Sequence, residues 1–262
     1  MEVIFILKRG SPFSISVVIP AYNEELRLES TLQHLWRSLK RRFSTFEIIV
    51  IDDGSTDQTV RVVTRFSEKH SEVKLIHYEV NHGKGYAVKK GVMRAKYDYV
   101  LFCDADLSTP VREVNKLLMA LSDGHDVAIG SRAIRGSKIL EYQPFYRVLM
   151  GKTFNKIVQL FAVSGISDTQ CGFKCFRRTV AREIFSQCRI NGFSFDVEVL
   201  YVARKAGFKV KEVGVLWRND LRSSVEPFRH SLQMLKDIFV IRWYGLLGCY
   251  NGREAVGSKI EA

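Results

Sequence analysis

A chain of 262 residues, 46% hydrophobic and 26% charged, has the composition of a globular protein large enough for one sizeable α/β domain or two small ones. The formal net charge of +12 favours an anionic partner, whether nucleic acid, an anionic membrane or a phosphorylated substrate. Five cysteines form neither a regular disulfide framework nor a zinc-ligand pattern, which fits free thiols in a reducing cytosol.

The apolar burst in "MEVIFILKRG" is too short for a signal peptide or a membrane span, and no run of about 18 uncharged apolar residues follows, so the chain is expected not to cross a membrane. "SVVIPAYNEE" then reads as a β-branched strand ending at Pro20 and running into a polar loop. Residues 25 to 42 have helical spacing of Leu28, Leu32, Leu35, Trp36 and Leu39. "FEIIVIDDGSTD" repeats the plan, with a helix from about Gln58. "VKLIHYE" is a third strand, and "NHGKG" turns into a helix from about Tyr86 to Ala95. "YDYVLFCDAD" is a fourth strand, and "DVAIGSR" a further one ending at Ser131 and Arg132. Short, nearly continuous apolar strands separated by helices predict a mainly parallel sheet covered on both faces.

From about Ile134 the character changes. Residues 140 to 162 and 228 to 247 mix aromatic and aliphatic side chains with lysine and arginine. Phe228, Leu232, Leu235, Phe239 and Trp243 recur every three or four residues, with Arg229, Lys236 and Arg242 among them. Two readings fit: amphipathic helices packed on the sheet, or helices lying in a membrane interface. The polar end, about 251 to 262, is expected to fray.

The unusual polar residues cluster after the strands, at the edge where open α/β sheets bind ligands. Asp104 and Asp106, two apart at a strand-to-loop transition, can converge on Mg2+ or Mn2+ shared with substrate phosphates. Asp52 and Asp53 end another strand, and Glu24 follows the first. In "NHGKG", Gly83 and Gly85 permit close backbone approach while Lys84 supplies a point charge for phosphate.

"VVIPAYNEE", "IVIDDGSTD", "GKG" and "DADLSTP", in this order, resemble the family 2 glycosyltransferases of GT-A fold. "GSR", "SDTQCGFKCF", "FSFDVEVLYVARKAGFKVKEVGVLW" and "LQMLKDIFVIR" are similar to the dolichyl-phosphate β-glucosyltransferase branch and its prokaryotic polyprenyl-phosphate relatives. The resemblance covers about residues 14 to 245. It implies a GT-A domain over 1–226, with a nucleotide-sugar half at about 14–110 and an acceptor half at about 111–226, and an amphipathic helix and tail over 227–262. It also implies a peripheral enzyme on the cytosolic face of a membrane, without the N-terminal anchor of the eukaryotic relatives. Its partners would be a UDP-sugar and a polyprenyl or dolichyl phosphate.

Residue by residue, the resemblance assigns Pro20, Tyr22 and Glu24 to the nucleotide pocket and Asp53 to the uracil, with Asp52 structural. Lys84 meets phosphate, Asp104 faces the ribose and diphosphate, and Asp106 ligates Mg2+ or Mn2+. Arg132 meets the phosphates or the acceptor, with Arg147, Lys174 and Arg222 on the acceptor phosphate. Gln170 lies near the sugar, and Asp196 and Glu198 face it.

Two positions depart from the pattern. Ser108 stands where mannosyl relatives commonly carry Gln, in agreement with the glucosyl branch. Ser224 replaces the lysine that eukaryotic glucosyl enzymes carry after the tryptophan, with Arg222 or Arg218 as substitutes for its charge.

The chemistry the resemblance implies is inverting transfer of glucose from UDP-glucose, with mannose or another acceptor as alternatives. A non-catalytic nucleotide-sugar-binding protein is disfavoured by the intact "DAD". A phosphohydrolase using Asp104 as nucleophile would release phosphate without a sugar acceptor. Nucleic-acid binding is permitted by charge but has no supporting motif.

Overall fold

The computed structural model describes residues 11–141, 144–219 and 227–250. In chain order the strands are β1 (Ser11–Ala21), β2 (Phe43–Asp53), β3 (Val73–Tyr78), β4 (Tyr99–Cys103), β5 (Val127–Ser131), β6 (Lys138–Glu141), β7 (Phe173–Arg177), β8 (Val210–Gly214) and β9 (Leu216–Arg218). The helices are α1 (Leu28–Arg42), α2 (Thr59–Lys69), α3 (Lys84–Arg94), α4 (Val114–Ser122), α5 (Phe145–Phe161), α6 (Arg178–Gln187), α7 (Phe195–Lys205) and α8 (Pro227–Leu246).

The strands form a seven-stranded sheet of order β3-β2-β1-β4-β7-β5-β8, parallel except for β7, and a small parallel β6-β9 pair. The expected mainly parallel sheet is therefore present. Strand order reverses between β1 and β4, which opens the crevice that open α/β sheets use for ligands. Strand β7 runs antiparallel between β4 and β5, with Cys103 opposite Phe173, and so carries the Gly172 turn to the end of β4.

Alternation along each strand divides the core into two layers. Val17, Ile19, Ile48, Val50 and Leu101 face the layer of α1 and α4, whereas Val18, Ile49, Ile51, Val100 and Phe102 face that of α3, α6 and α7. Leu28, Leu32, Leu35 and Leu39 on α1 are fully buried, each contributing about 1.5–3 kcal/mol. At the opposite end of the sheet from the polar loops, buried Glu47 accepts from Ser16 Oγ and Lys74 Nζ at 2.7 Å each and from the Lys96 amide at 3.0 Å. A buried carboxylate is tolerated there because every donor it needs is supplied.

The greasy segment at 140–162 is not one helix. Its start belongs to β6, and α5 begins after Pro144, whose fixed φ suits a helix entry. Helix α8 buries Ile238 and Ile241 in the layer containing α7, and Phe161 of α5 lies 5.5 Å from Phe239 of α8, ring to ring. No helix among the described residues is long and apolar enough to cross a membrane.

Candidate active site

The loops after β1 and β2 are stitched together. The Asn23 amide donates to Ser55 Oγ at 2.9 Å, and Asn23 Oδ1 accepts from the Thr56 amide at 2.9 Å. The Glu24 amide donates to Thr59 Oγ1 at 2.7 Å. Asn23 adopts φ +53°, a left-handed turn that asparagine tolerates well. Pro20 lies one residue before the end of β1, Tyr22 is exposed, and Glu24 lies half-buried against Arg27. Burial raises the pKa of Glu24, Arg27 opposes that, and Asp106 and Asp104 reinforce it. Glu24 thus feels the charges of the two carboxylates that follow β4.

The Asp104 amide bonds to the Gly172 carbonyl at 3.2 Å, and a Cβ on Gly172 would fall 1.9 Å from Asp104 Oδ2. Only glycine lets β7 pass behind this carboxylate. Lys84 Nζ is 2.7 Å from Asp104 Oδ1 as a charge pair, yet that buried oxygen accepts no aligned hydrogen bond. Leu107 turns the chain at φ +48°, allowing the Ser108 amide to donate to Asp106 Oδ1 at 2.9 Å. Asp106 has a raised pKa, first from burial and then from the charge on Asp104. For Lys84 the carboxylates of Asp104 and Asp196 outweigh a burial cost that alone would lower its pKa, and the net shift is upward.

The glycines of "GKG" serve a neighbouring loop. A Cβ on Gly83 would meet the Asn191 carbonyl oxygen at 2.5 Å, and one on Gly85 the Ile190 carbonyl oxygen at 2.5 Å. The Asn191 carbonyl accepts from the Gly85 amide at 2.7 Å, so these groups at the start of α3 are already engaged by protein. Asp53, 3% exposed, accepts from the His82 amide at 3.0 Å on one oxygen and the Gly83 amide at 2.7 Å on the other, which fixes the same loop. Buried Asp52 holds the Ser55 amide and His77 Nδ1.

Across the crevice, Arg132 forms a two-pronged pair with Asp168, Nε to Oδ2 at 2.7 Å and Nη2 to Oδ1 at 2.8 Å, and lies over the Trp217 ring at 5.3 Å. Trp217 lines a small cleft with Asp104, Asp106, Ser108 and Gly172. Burial would lower the pKa of Arg132, but Asp168 outweighs it and raises it further. Gln170 is half-buried, with Met234 of α8 as its neighbour.

Three sequence-based assignments need correction. Lys174 is 1% exposed, pairs with Asp196 and donates to the Cys171 carbonyl at 2.7 Å, so it neutralises a buried carboxylate and does not meet an acceptor phosphate. Asp196 is 4% exposed and turned to Lys174, beneath the crevice floor; burial raises its pKa against the opposing charges of Lys174 and Lys84. Glu198 is fully buried, accepting from the Arg189 and Ile190 amides at 2.8 Å each and from Tyr250 at 2.7 Å, which excludes contact with a sugar. Arg222 and Ser224 lie outside the described residues, as does the side chain of Arg147.

Residues 16–185 match the family model described as glycosyl transferase family 2. The chain belongs to the family 2 glycosyltransferases. It is 40% identical over 248 residues to a dolichyl-phosphate β-glucosyltransferase of Dictyostelium discoideum, covering 90% of this chain and 76% of that protein. The human protein of the same description is 36% identical over 249 residues, covering 90% and 77%. Among solved structures, glucosyl-3-phosphoglycerate synthase from Mycobacterium tuberculosis, in complex with Mn2+, UDP-glucose and phosphoglyceric acid, superposes with a TM-score of 0.65. The sequences are 20% identical, covering 91% of this chain and 80% of that one, so the likeness concerns the fold.

No group of three or more His, Cys, Asp or Glu arranged to hold a metal occurs among the described residues of this glycosyltransferase. The donor set fits a divalent cation that completes its coordination with substrate oxygens and water: hard carboxylate oxygens on Asp104 and Asp106, one of them buried without an aligned donor. Sequence reasoning passed over Gly172 and Asp168. The "DTQCG" spacing held both, but only the antiparallel insertion of β7 explains why they stand beside Asp104 and Arg132.

Proposed function

We propose that this glycosyltransferase moves glucose from UDP-glucose to a polyprenyl phosphate of the dolichyl type, with inversion, at an anionic membrane surface on the cytosolic side. The observation that carries the reading is the small cleft lined by Asp104, Asp106 and Trp217, with Lys84 2.7 Å from Asp104 and Arg132 stacked over the Trp217 ring. The curated relatives named above, called dolichyl-phosphate β-glucosyltransferases, support the acceptor and the sugar. The complex of the mycobacterial synthase with Mn2+ and UDP-glucose supports the donor and the metal.

In this reading Pro20, Tyr22, Glu24 and Asp53 border the nucleotide, and Asp104 and Asp106 would hold Mg2+ or Mn2+. The ion, when bound, supplies Lewis-acid stabilisation of the departing diphosphate. Lys84 adds its charge beside Asp104, with the rings of Phe102 and Phe193 centred 5.6 and 5.9 Å from its ammonium. Three N–H groups of Arg132 make no hydrogen bond among the described residues and are free to take the acceptor phosphate. A lipid phosphate is ionised at neutral pH, so its oxygen attacks the anomeric carbon without a general base, and the C1–O bond to UDP breaks as the new bond forms. One displacement converts an α-linked donor into a β-linked product. The donor half at about 14–110, the acceptor half at about 111–226 and the segment from 227 divide these tasks.

The experiment is incubation with dolichyl phosphate and a panel of UDP- and GDP-sugars, with the lipid product read by mass. A hexosyl-phospholipid formed from UDP-glucose is expected. Product from GDP-mannose alone would move the assignment to mannose transfer, and phosphate release without a sugar-lipid would point to a hydrolase.

A further inference from the structure

We propose that Glu212 and Asp168 form a positioning relay that fixes the Arg132 guanidinium for the acceptor phosphate. Glu212 lies on β8, opposite Ile129 of β5, and β5 ends one residue before Arg132. Its two carboxylate oxygens are spent on consecutive backbone amides: Oε2 accepts from Ser167 at 2.9 Å and Oε1 from Asp168 at 2.8 Å. That pins the peptide from which Asp168 projects. Asp168, 6% exposed, then takes the Arg132 amide at 2.9 Å as well as Nε and Nη2, gripping the residue at its backbone and at its tip. Asn155 of α5 fastens the same loop, donating to the Ser167 carbonyl at 2.8 Å and accepting from Thr169 Oγ1 at 3.1 Å.

The Arg132 side chain remains 29% exposed, lies over the ring of Trp217, a residue that lines the cleft, and feels the charge on Asp104. An arginine free in solution samples many rotamers; one held on one edge and stacked on one face presents its other edge in a single orientation, which is what a planar fork needs to recognise a phosphate monoester. The anion faced by that edge is the acceptor phosphate, since the donor diphosphate belongs with Asp104 and Asp106. Carboxylates that orient a ligand-binding group from behind commonly influence binding as strongly as the group itself.

The inference rests on Arg132 meeting the acceptor, and the test separates the two. With the full chain, the acceptor KM, kcat and the UDP dissociation constant are measured for wild type, Glu212→Gln, Glu212→Asp and Arg132→Lys. Glutamine offers one acceptor where two amides need one each, so Glu212→Gln is expected to raise the acceptor KM by roughly 10-fold, with UDP affinity held within about twofold. Glu212→Asp should show the same pattern more weakly and serves if the glutamine variant fails to fold. If Arg132→Lys raises the acceptor KM while both Glu212 variants leave it unchanged, the relay is wrong. If the Glu212 variants lose UDP affinity in proportion, the clamp is merely structural and the relay is again wrong. If Arg132→Lys leaves the acceptor KM unchanged, the underlying assignment of Arg132 falls.

Discussion

Gly172 has space for a hydrogen and nothing larger, because the Asp104 carboxylate lies against it. The Gly172→Ala variant must push that carboxylate aside, and a displacement of about 1 Å at a reacting centre costs on the order of 100-fold in rate. Turnover and Mn2+-dependent UDP binding should fall together, whereas Gly151→Ala, whose Cβ would enter open space, should leave UDP binding unchanged in calorimetry. Asp168 supplies a pH prediction. Burial would raise its pKa, but the Arg132 charge and hydrogen bonds outweigh that and leave it below the usual carboxylate value. A depressed folded-state pKa contributes stability that is fully present above the unfolded value and lost as pH falls through the folded one. The stability gap between wild type and Asp168→Asn should therefore be constant from neutral pH down to about 4 and shrink below it; a gap that widened on acidification would refute the pairing. At this scale the sequence displayed the D-x-D pair and Lys84, because their residue types are costly at a strand end unless used. It misplaced Lys174 and Glu198, because a charge that seems destined for a ligand also suits a buried partner, and the partners Asp196 and Tyr250 become visible only in three dimensions.

At the scale of elements, the alternating strands and the α1 leucines made the sheet legible, since period-2 and period-3.6 patterns reflect which face is buried. The direction of β7 was not legible: five residues, mostly buried on both faces, carry no signal of polarity. The anchoring of α8 was hidden as well. Tyr250, 2% exposed, donates to Glu198 at 2.7 Å, and Glu198 in turn holds the 189–190 amides beside the loop that touches Gly83 and Gly85. Tyr250→Phe removes one hydrogen bond to a buried charge, worth about 1.5–3 kcal/mol. A melting temperature several degrees lower, without change in the sheet signal of circular dichroism, is expected; an unshifted transition would mean that the Tyr250–Glu198 bond does not anchor α8.

For the molecule as a whole, α5 and α8 present Phe145, Leu149, Leu160, Leu232, Phe239 and Trp243 to solvent, while Lys152, Lys156, Lys236 and Arg242 are also exposed on these helices. An apolar surface flanked by cations suits the headgroup region of an anionic bilayer, where each cation adds about 1 kcal/mol. Full chain should float with anionic vesicles at low salt and less so at high salt, and Phe239→Ser with Trp243→Ser should release it while leaving the melting temperature unchanged. Wild type remaining in the soluble fraction at low salt would overturn membrane docking and leave the cleft without access to a lipid phosphate. In the proposed function that surface brings a lipid phosphate to the cleft, where glucose would pass from UDP in one displacement with Asp104 and Asp106 holding a divalent ion. This central claim is tested most directly by extracting the lipid formed from UDP-α-glucose and vesicle-borne polyprenyl phosphate, and reading its anomeric configuration by NMR after reactions with Mn2+ and with excess EDTA. A β-linked glucosyl phosphate formed with Mn2+ and abolished by EDTA is predicted; an α-linked product, or undiminished product in EDTA, would contradict the account.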